Sequence, residues 1–213
     1  MDKLIVVDKQ LLVYLNNLGS ETADHFWFFI TNQFYLSPIF LLVFYFLWKK
    51  VGWKQLGIIL VFLALIIMVT DQTTNLFKYI FQRARPVNDL EIRDQLRILV
   101  DRSSFSFFSG HASNSMAASV FLFFIFRKYY KFAFAIFFFP LIFAYSRIYL
   151  GLHFPTDILT GYLFGMISGT AFYLIYRKYT SESFDQQKKT LIIASSTVFV
   201  YFLMCNVLTS YLR

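Results

Sequence analysis

A chain of 213 residues with 58% hydrophobic and 22% aromatic content, but only 15% charge, is too apolar for the soluble class. Its net charge of +8 comes from 20 Lys and Arg residues parcelled between apolar runs, which argues against nucleic acid as a partner and makes the lipid bilayer the natural solvent. The single cysteine, Cys205, can form no internal disulfide and is silent on redox compartment.

In chain order, Leu4, Val7, Leu11, Leu12 and Leu15 recur at helical spacing. Asp2, Lys3, Asp8 and Lys9 interrupt that stretch and no small-residue cleavage site follows, so it does not read as a signal peptide. An amphipathic helix in the membrane interface fits, and so does a packed helix of the bundle. Apolar runs follow at 26–48, 53–69, 112–126, 132–149, 158–176 and 191–212. The third is short alone but continues a helix beginning near Ser109, so each run approaches the roughly 20 residues needed to cross hydrocarbon. The expected fold is all-α: an integral membrane bundle of about six transmembrane helices with a short interfacial N-terminal helix, forming one domain over 1–213.

The polar segment 87–108 is the longest break. Asn88 with Glu91 forms a capping-box pattern ahead of Ile92, Leu96, Leu99 and Val100, which predicts a short interfacial helix, either a lid or a cover for the bundle end. The stretch 180–189 reads as a solvated loop, and Gly161, Gly165 and Gly169, four apart, predict close helix packing inside the bundle. Lys49, Lys50, Lys54, Arg127, Lys128, Lys131, Arg177, Lys178, Lys188 and Lys189 fall on one side of the membrane. The other ten cations fall on the opposite side, so the count ties. Three of those ten (Lys78, Arg85 and Arg147) have a chemical use, however, and the first set crowds short loops. The positive-inside rule then puts the lysine-rich loops in the cytoplasm of a bacterial cell and the polar motifs outside, across the inner membrane.

Three stretches carry chemistry. Asp71, Lys78 and Arg85 are spaced by seven; on a continuous helix they share a face, with about 10 Å of rise between the two cations, before Pro86 disfavours continuation. Ser109-Gly110-His111 opens a helix, where backbone amides, the glycine and the serine hydroxyl can approach an anion and His111 can move a proton. His153 and Asp157 lie four apart, so on a helix the carboxylate can orient the imidazole and leave its other nitrogen free as a nucleophile. Arg147 adds a bidentate donor suited to phosphate. Each cation alone also fits a snorkelling side chain, and each histidine alone an interfacial one. Zinc is the competing use of the His-Asp pair, but it lacks a third ligand beyond His25 and His111, and His25 has no partner pattern. Loops separated by two spans lie on one side of the membrane, so all three stretches can converge.

These residues resemble the type 2 phosphatidic acid phosphatase (PAP2) family, whose pattern is K-x6-RP, then PSGH, then SR-x5-H-x3-D. Lys78 with Arg85-Pro86 matches the first motif, and Ser146-Arg147, His153 and Asp157 match the third. In the second, Ser109, Gly110 and His111 agree, while Phe108 replaces the proline, a change expected to alter the turn rather than the chemistry. The likeness runs over about 71–176. It implies two-step phosphoryl transfer without metal or other cofactor. His153 would attack phosphorus and Asp157 would fix its tautomer. His111 would protonate the leaving group and then activate water, while Lys78, Arg85, Ser109, Gly110 and Arg147 would hold the phosphate oxygens.

The sequence therefore predicts a membrane lipid phosphatase acting on an envelope lipid. Lipid A, at its 1- or 4′-phosphate, comes first; undecaprenyl diphosphate, phosphatidylglycerophosphate and phosphatidic acid are alternatives. A transporter or channel would account for polar groups such as Asn32 and Asn206 but not for the order of the motifs, and a catalytically dead scaffold is disfavoured by the presence of both histidines and Asp157. Nothing in the sequence sets an oligomeric state.

Overall fold

The computed structural model of the protein describes residues 2–181 and 184–212, and among these there are helices and no strands. The elements are α1 (Asp2–Asn17), α2 (Glu21–Thr31), α3 (Ser37–Phe81), α4 (Gly110–Phe126), α5 (Phe138–Tyr149), α6 (Pro155–Ser181) and α7 (Phe184–Leu212). By length and composition Phe34–Asn88, Pro155–Ser181 and Ser195–Leu212 are apolar enough to cross a membrane, and Gly110–Phe126 and Ala133–Tyr149 are shorter apolar helices.

The 45 residues of α3 would span about 68 Å if straight, twice the hydrocarbon thickness. Gly52 resolves this: at φ 76°, ψ 171° it breaks the helix. Phe34 and Lys78 line one cavity, while Lys50 and Gln55 line another with Lys128 and Thr180, so the chain reverses at Gly52. The two halves of α3, then α4, α5 with the turn before it, α6 and α7 make up the six expected segments.

The first of these differs from the expected 26–48. α2 ends at Thr31, and the side-chain oxygen of Asn32 accepts from the Phe34 amide to start a 3-10 turn, Gln33–Leu36, before α3 begins. The second expected run, 53–69, extends to Phe81 because Thr70, Thr73 and Thr74 return their hydroxyls to carbonyls one turn back, which satisfies them inside the helix. Gln82, at φ 45°, caps that helix, so Arg85 is not on it and the seven-residue spacing is not what brings Arg85 to Lys78.

No α-helix forms in 87–108, only the 3-10 turns Pro86–Asn88 and Arg93–Gln95. The expected capping box is spent elsewhere: Asn88 donates to the Arg102 carbonyl (2.7 Å), and Glu91 pairs with Lys9 (2.6 Å). The expected loop over 180–189 is also shorter. Thr180 and Ser181 finish α6, residues 184–189 open α7, and 182 and 183 lie outside the described residues.

α4 is the centre of the bundle and packs along α6, with α3 and α5 against it and α7 outside on α3. The three glycines of α6 make this approach close. A Cβ on Gly161 would lie 2.7 Å from the Ser109 carbonyl oxygen, and one on Gly165 2.6 Å from that of Ser113. Gly165→Val is therefore expected to cost about 1–3 kcal/mol, read as a lower melting temperature in detergent; melting unchanged from wild type would contradict this contact.

One apolar cluster, with Ile59, Phe62, Phe121 and Tyr176, fills the middle and the lysine-rich end. A second, with Leu12, Ile92, Ala112, Ile148, Phe154 and Ile158, closes the other end, where the motifs lie. α1 belongs to this second cluster. Asp8, Leu12 and Asn16, four apart, are buried, while Leu4, Val7 and Leu11 are exposed. The N-terminal helix thus combines both sequence expectations, packing one face on the bundle and leaving apolar side chains outward.

Candidate active site

Backbone and side-chain bonds stitch the three stretches together. The Ser106 amide donates to the Arg83 carbonyl (2.8 Å), the Ser109 amide to that of Asp157 (3.1 Å), and Arg85 Nη1 to that of Leu152 (2.8 Å). Gly151, at φ 65°, makes the turn between α5 and α6, and a Cβ there would crowd Val87 Cγ1 at 3.2 Å.

A cavity of about 440 Å³ opens where the stretches meet, lined by Lys78, Arg85, Arg102, His111, Arg147 and His153 together with Phe28, Thr31, Asn32, Phe34, Val100, Leu150 and Leu152. Four cations and no carboxylate among the lining residues make it a site for an anion. Phe28 and Phe34 are largely exposed, so the charged floor has an apolar rim.

Each cation is held differently. Lys78 comes from the last turn of α3. Arg85 is buried and donates through Nε to the Ser104 carbonyl (2.8 Å) and through Nη2 to the Ser104 hydroxyl (3.0 Å). Arg147, also buried, donates from Nη1 to the Thr31 hydroxyl (2.6 Å), while its Nε has no hydrogen-bond partner among the described residues. A buried guanidinium lining an anion-sized cavity is poised to bind one.

His153 precedes α6 rather than lying on it, which corrects the expectation of a helical His-Asp pair. Its Nδ1 is 3.6 Å from Asp157 Oδ2, longer than a hydrogen bond, and its Nε2 is 3.3 Å from Arg85 Nη1. Burial, reinforced by Arg85, Arg147 and Lys78, holds the imidazole well below its usual 6.5, so it is neutral. Asp157 is fully buried in the first turn of α6, and its Oδ2 accepts from the Phe154 amide (2.9 Å). His111, second residue of α4, lines the cavity and lies against Phe143, with ring centroids 5.2 Å apart.

Ser109 and Gly110 are not among the cavity-lining residues. The Ser109 hydroxyl oxygen caps α4 by accepting from the Ala112 amide (3.4 Å). Phe108, in the place of the family proline, is buried with its ring 5.5 Å from that of Phe77 and 5.4 Å from that of Phe164, so it anchors the loop between α3 and α6. His25 is exposed and outside the cavity.

Sequence reasoning missed Arg102, Thr31 and Arg83. Arg83 bridges Asp157 to Asp8 of α1 at 2.7 Å on each side. It also missed the tie that holds the 87–108 segment. Arg97 pairs with Asp24 (2.8 Å), and Asn16 donates to the Tyr149 carbonyl (2.6 Å) and accepts from the Arg97 amide (2.8 Å). The one readable signal was Asp8 and Asn16 flanking Leu12 on a single helix face.

The bundle and its cationic pocket are those of a membrane-embedded phosphatase that acts on a lipid phosphate ester. The chain belongs to the PAP2 superfamily, which its residues 55–181 match. It is 35% identical over 179 residues to a lipid A 4′-phosphatase of Bacteroides thetaiotaomicron, covering 82% of this chain and 79% of that one. It is 29% identical over 180 residues to a lipid A 4′-phosphatase of Porphyromonas gingivalis, covering 83% and 75%. In structure it is similar to a transmembrane PAP2-type phosphatidylglycerolphosphate phosphatase from Bacillus subtilis, with a TM-score of 0.64 at 20% identity over 84% of this chain and 88% of the other. It is also similar to Aquifex aeolicus LpxE, with a TM-score of 0.54 at 25% identity over 76% and 92%.

Proposed function

We propose that the protein removes the 4′-phosphate of lipid A by two-step transfer through His153. The observation that carries this reading is the single cavity in which His153 and His111 face Lys78, Arg85 and Arg147. The neutral Nε2 of His153 attacks phosphorus; the bond to the lipid oxygen breaks and His111 protonates that oxygen, releasing the lipid alcohol. His111, now a base, takes a proton from a water that attacks the phosphohistidine, and inorganic phosphate leaves with His153 restored. Lys78, Arg85 and Arg147 hold the charge on the equatorial oxygens, and the Ser109-Gly110 turn supports His111 from the start of α4. The choice of lipid A rests on the 35% identical relative that shares four-fifths of the chain. The apolar rim of Phe28 and Phe34 suits a substrate whose acyl chains stay in the membrane.

Metal is not required in this scheme, and among the described residues no three His, Cys, Asp or Glu side chains cluster as a ligand set. The test is phosphate release by purified protein from lipid A, undecaprenyl diphosphate, phosphatidylglycerophosphate and phosphatidic acid, with and without chelator. Release from lipid A that survives chelation is expected. Inactivation by chelator with recovery on zinc would contradict the chemistry, and preference for another lipid would contradict the substrate.

The site faces the periplasm in this reading. Leu90 is 87% exposed on the motif side and the native Cys205 is buried, so Leu90→Cys reports orientation with little background. Labelling of intact spheroplasts by a membrane-impermeant maleimide is expected; labelling only after the membrane is opened would reverse the orientation.

The polar residues that favoured a transporter have local roles: Asn32 caps a turn, and Asn206 donates to the Phe202 carbonyl one turn back (2.8 Å).

A further inference from the structure

We propose that Asp8 and Arg83 are positioning residues for the His153–Asp157 pair, so that the N-terminal helix forms part of the catalytic apparatus. This rests on the reading of His153 as nucleophile. Arg83 does not line the cavity. Its Nη1 donates to Asp157 Oδ1 (2.7 Å) and to the Thr156 hydroxyl (2.9 Å), and its Nη2 donates to Asp8 Oδ2 (2.7 Å). The guanidinium carbon lies 3.9 Å from the centroid of the Phe154 ring, which fixes its plane. Asp8 is itself held, its Oδ1 accepting from the Thr156 amide (2.9 Å) and its Oδ2 from the Thr156 hydroxyl.

The oxygens of Asp157 are thereby divided. Oδ1 is engaged by Arg83, while Oδ2, with the Phe154 amide on it, faces His153 Nδ1. A carboxylate with one oxygen pinned cannot rotate, so its other oxygen stays aimed at the imidazole. The charges matter as well. Asp8 and Asp157 have side chains only 2% and 0% exposed and share one guanidinium, which leaves the buried group with an excess negative charge. A histidine that becomes phosphorylated gains positive charge on its ring, and this group supplies the compensating anion. Without Asp8, Arg83 loses the partner that balances its pull on Asp157.

Lys9 distinguishes this role from simple anchoring of α1. It pairs with Asp89 (2.7 Å) and Glu91 (2.6 Å), tying the same helix to the 87–108 segment without touching Asp157. In the purified full chain, Asp8→Ala and Arg83→Gln are expected to lower kcat about 10- to 100-fold with KM within about twofold, the range that outer-shell partners command. The double variant is expected to be no worse than the worse single one, since both break one chain of contacts. Lys9→Ala is expected to lower the melting temperature while keeping kcat near wild type. Asp8→Asn, which keeps the shape, covers the case in which Asp8→Ala fails to fold.

A readout free of turnover accompanies these. The chain has three histidines, so nitrogen-15 spectra of histidine-labelled protein resolve His153 by its loss in His153→Ala. His153 is expected as a single Nδ1–H tautomer in wild type and as a mixture in Asp8→Asn and Arg83→Gln. Wild-type kcat in both variants, or an unchanged His153 tautomer, would overturn the proposal. If wild type releases no phosphate from any lipid, the functional reading fails, while the spectra still decide whether Asp8 and Arg83 set the histidine.

Discussion

His153→Ala is expected to reduce kcat by roughly 10⁴- to 10⁶-fold, the scale lost when a covalent nucleophile is removed. Its position leaves no understudy. The imidazole is fully buried at the cavity, and burial with the three surrounding cations keeps it neutral. Because its folded value lies well below 6.5, acidification from pH 7 to about 6 does not protonate the nucleophile. His111 cannot take over: it comes from α4, on a separate part of the chain from His153, and its part in this scheme is to move the proton. His25→Ala is the matching control, being exposed and outside the cavity, and is expected to turn over as wild type does. Phosphate release from lipid A under single-turnover conditions, with melting temperature as a check on folding, measures the effect; His153→Ala activity within tenfold of wild type would contradict the assignment.

Arg147→Lys is expected to lower kcat by about 10²- to 10³-fold despite keeping the charge. The guanidinium is buried and lines the cavity; Nη1 bonds Thr31, and Nε has no hydrogen-bond partner among the described residues. A planar fork satisfies both duties at once. An ammonium is a point donor, which must either keep the Thr31 hydroxyl and leave the phosphate short of a bond, or do the reverse. The transition state spreads charge over three equatorial oxygens, so the loss falls more on kcat than on KM, and inhibition by orthovanadate, which resembles that geometry, should weaken in parallel. Thr31→Val tests the same contact from the other side and is expected to have a smaller effect of the same sign. Equal kcat for Arg147→Lys and wild type would show that bidentate recognition is not used.

The bundle was legible because its signal is local: runs of apolar residues long enough to cross hydrocarbon, and glycines four apart that let α6 meet α4. Boundaries were less so. Asn32 stops one helix by capping the next turn, and Thr70, Thr73 and Thr74 keep another helix going by returning their hydroxyls to its own backbone, so polar side chains ended one helix and prolonged the other. The residues at the cavity were readable as types at a spacing, yet the spacing worked for a different reason than expected. Arg85 reaches the site from a loop after α3, and His153 from the turn before α6. Arg83 and Asp8, 75 residues apart in sequence, were beyond reach, because only the folded chain shows which cation a buried carboxylate takes as its partner.

The most direct measurement is single-turnover reaction of the purified protein with lipid A labelled at its 4′-phosphate, quenched in alkali and digested for mass spectrometry. A base-stable, acid-labile phosphate on the peptide containing His153, appearing before free phosphate and decaying as it is released, is the predicted result. Phosphate release with no labelled His153 peptide at any time, or label on another residue, would contradict transfer through that histidine.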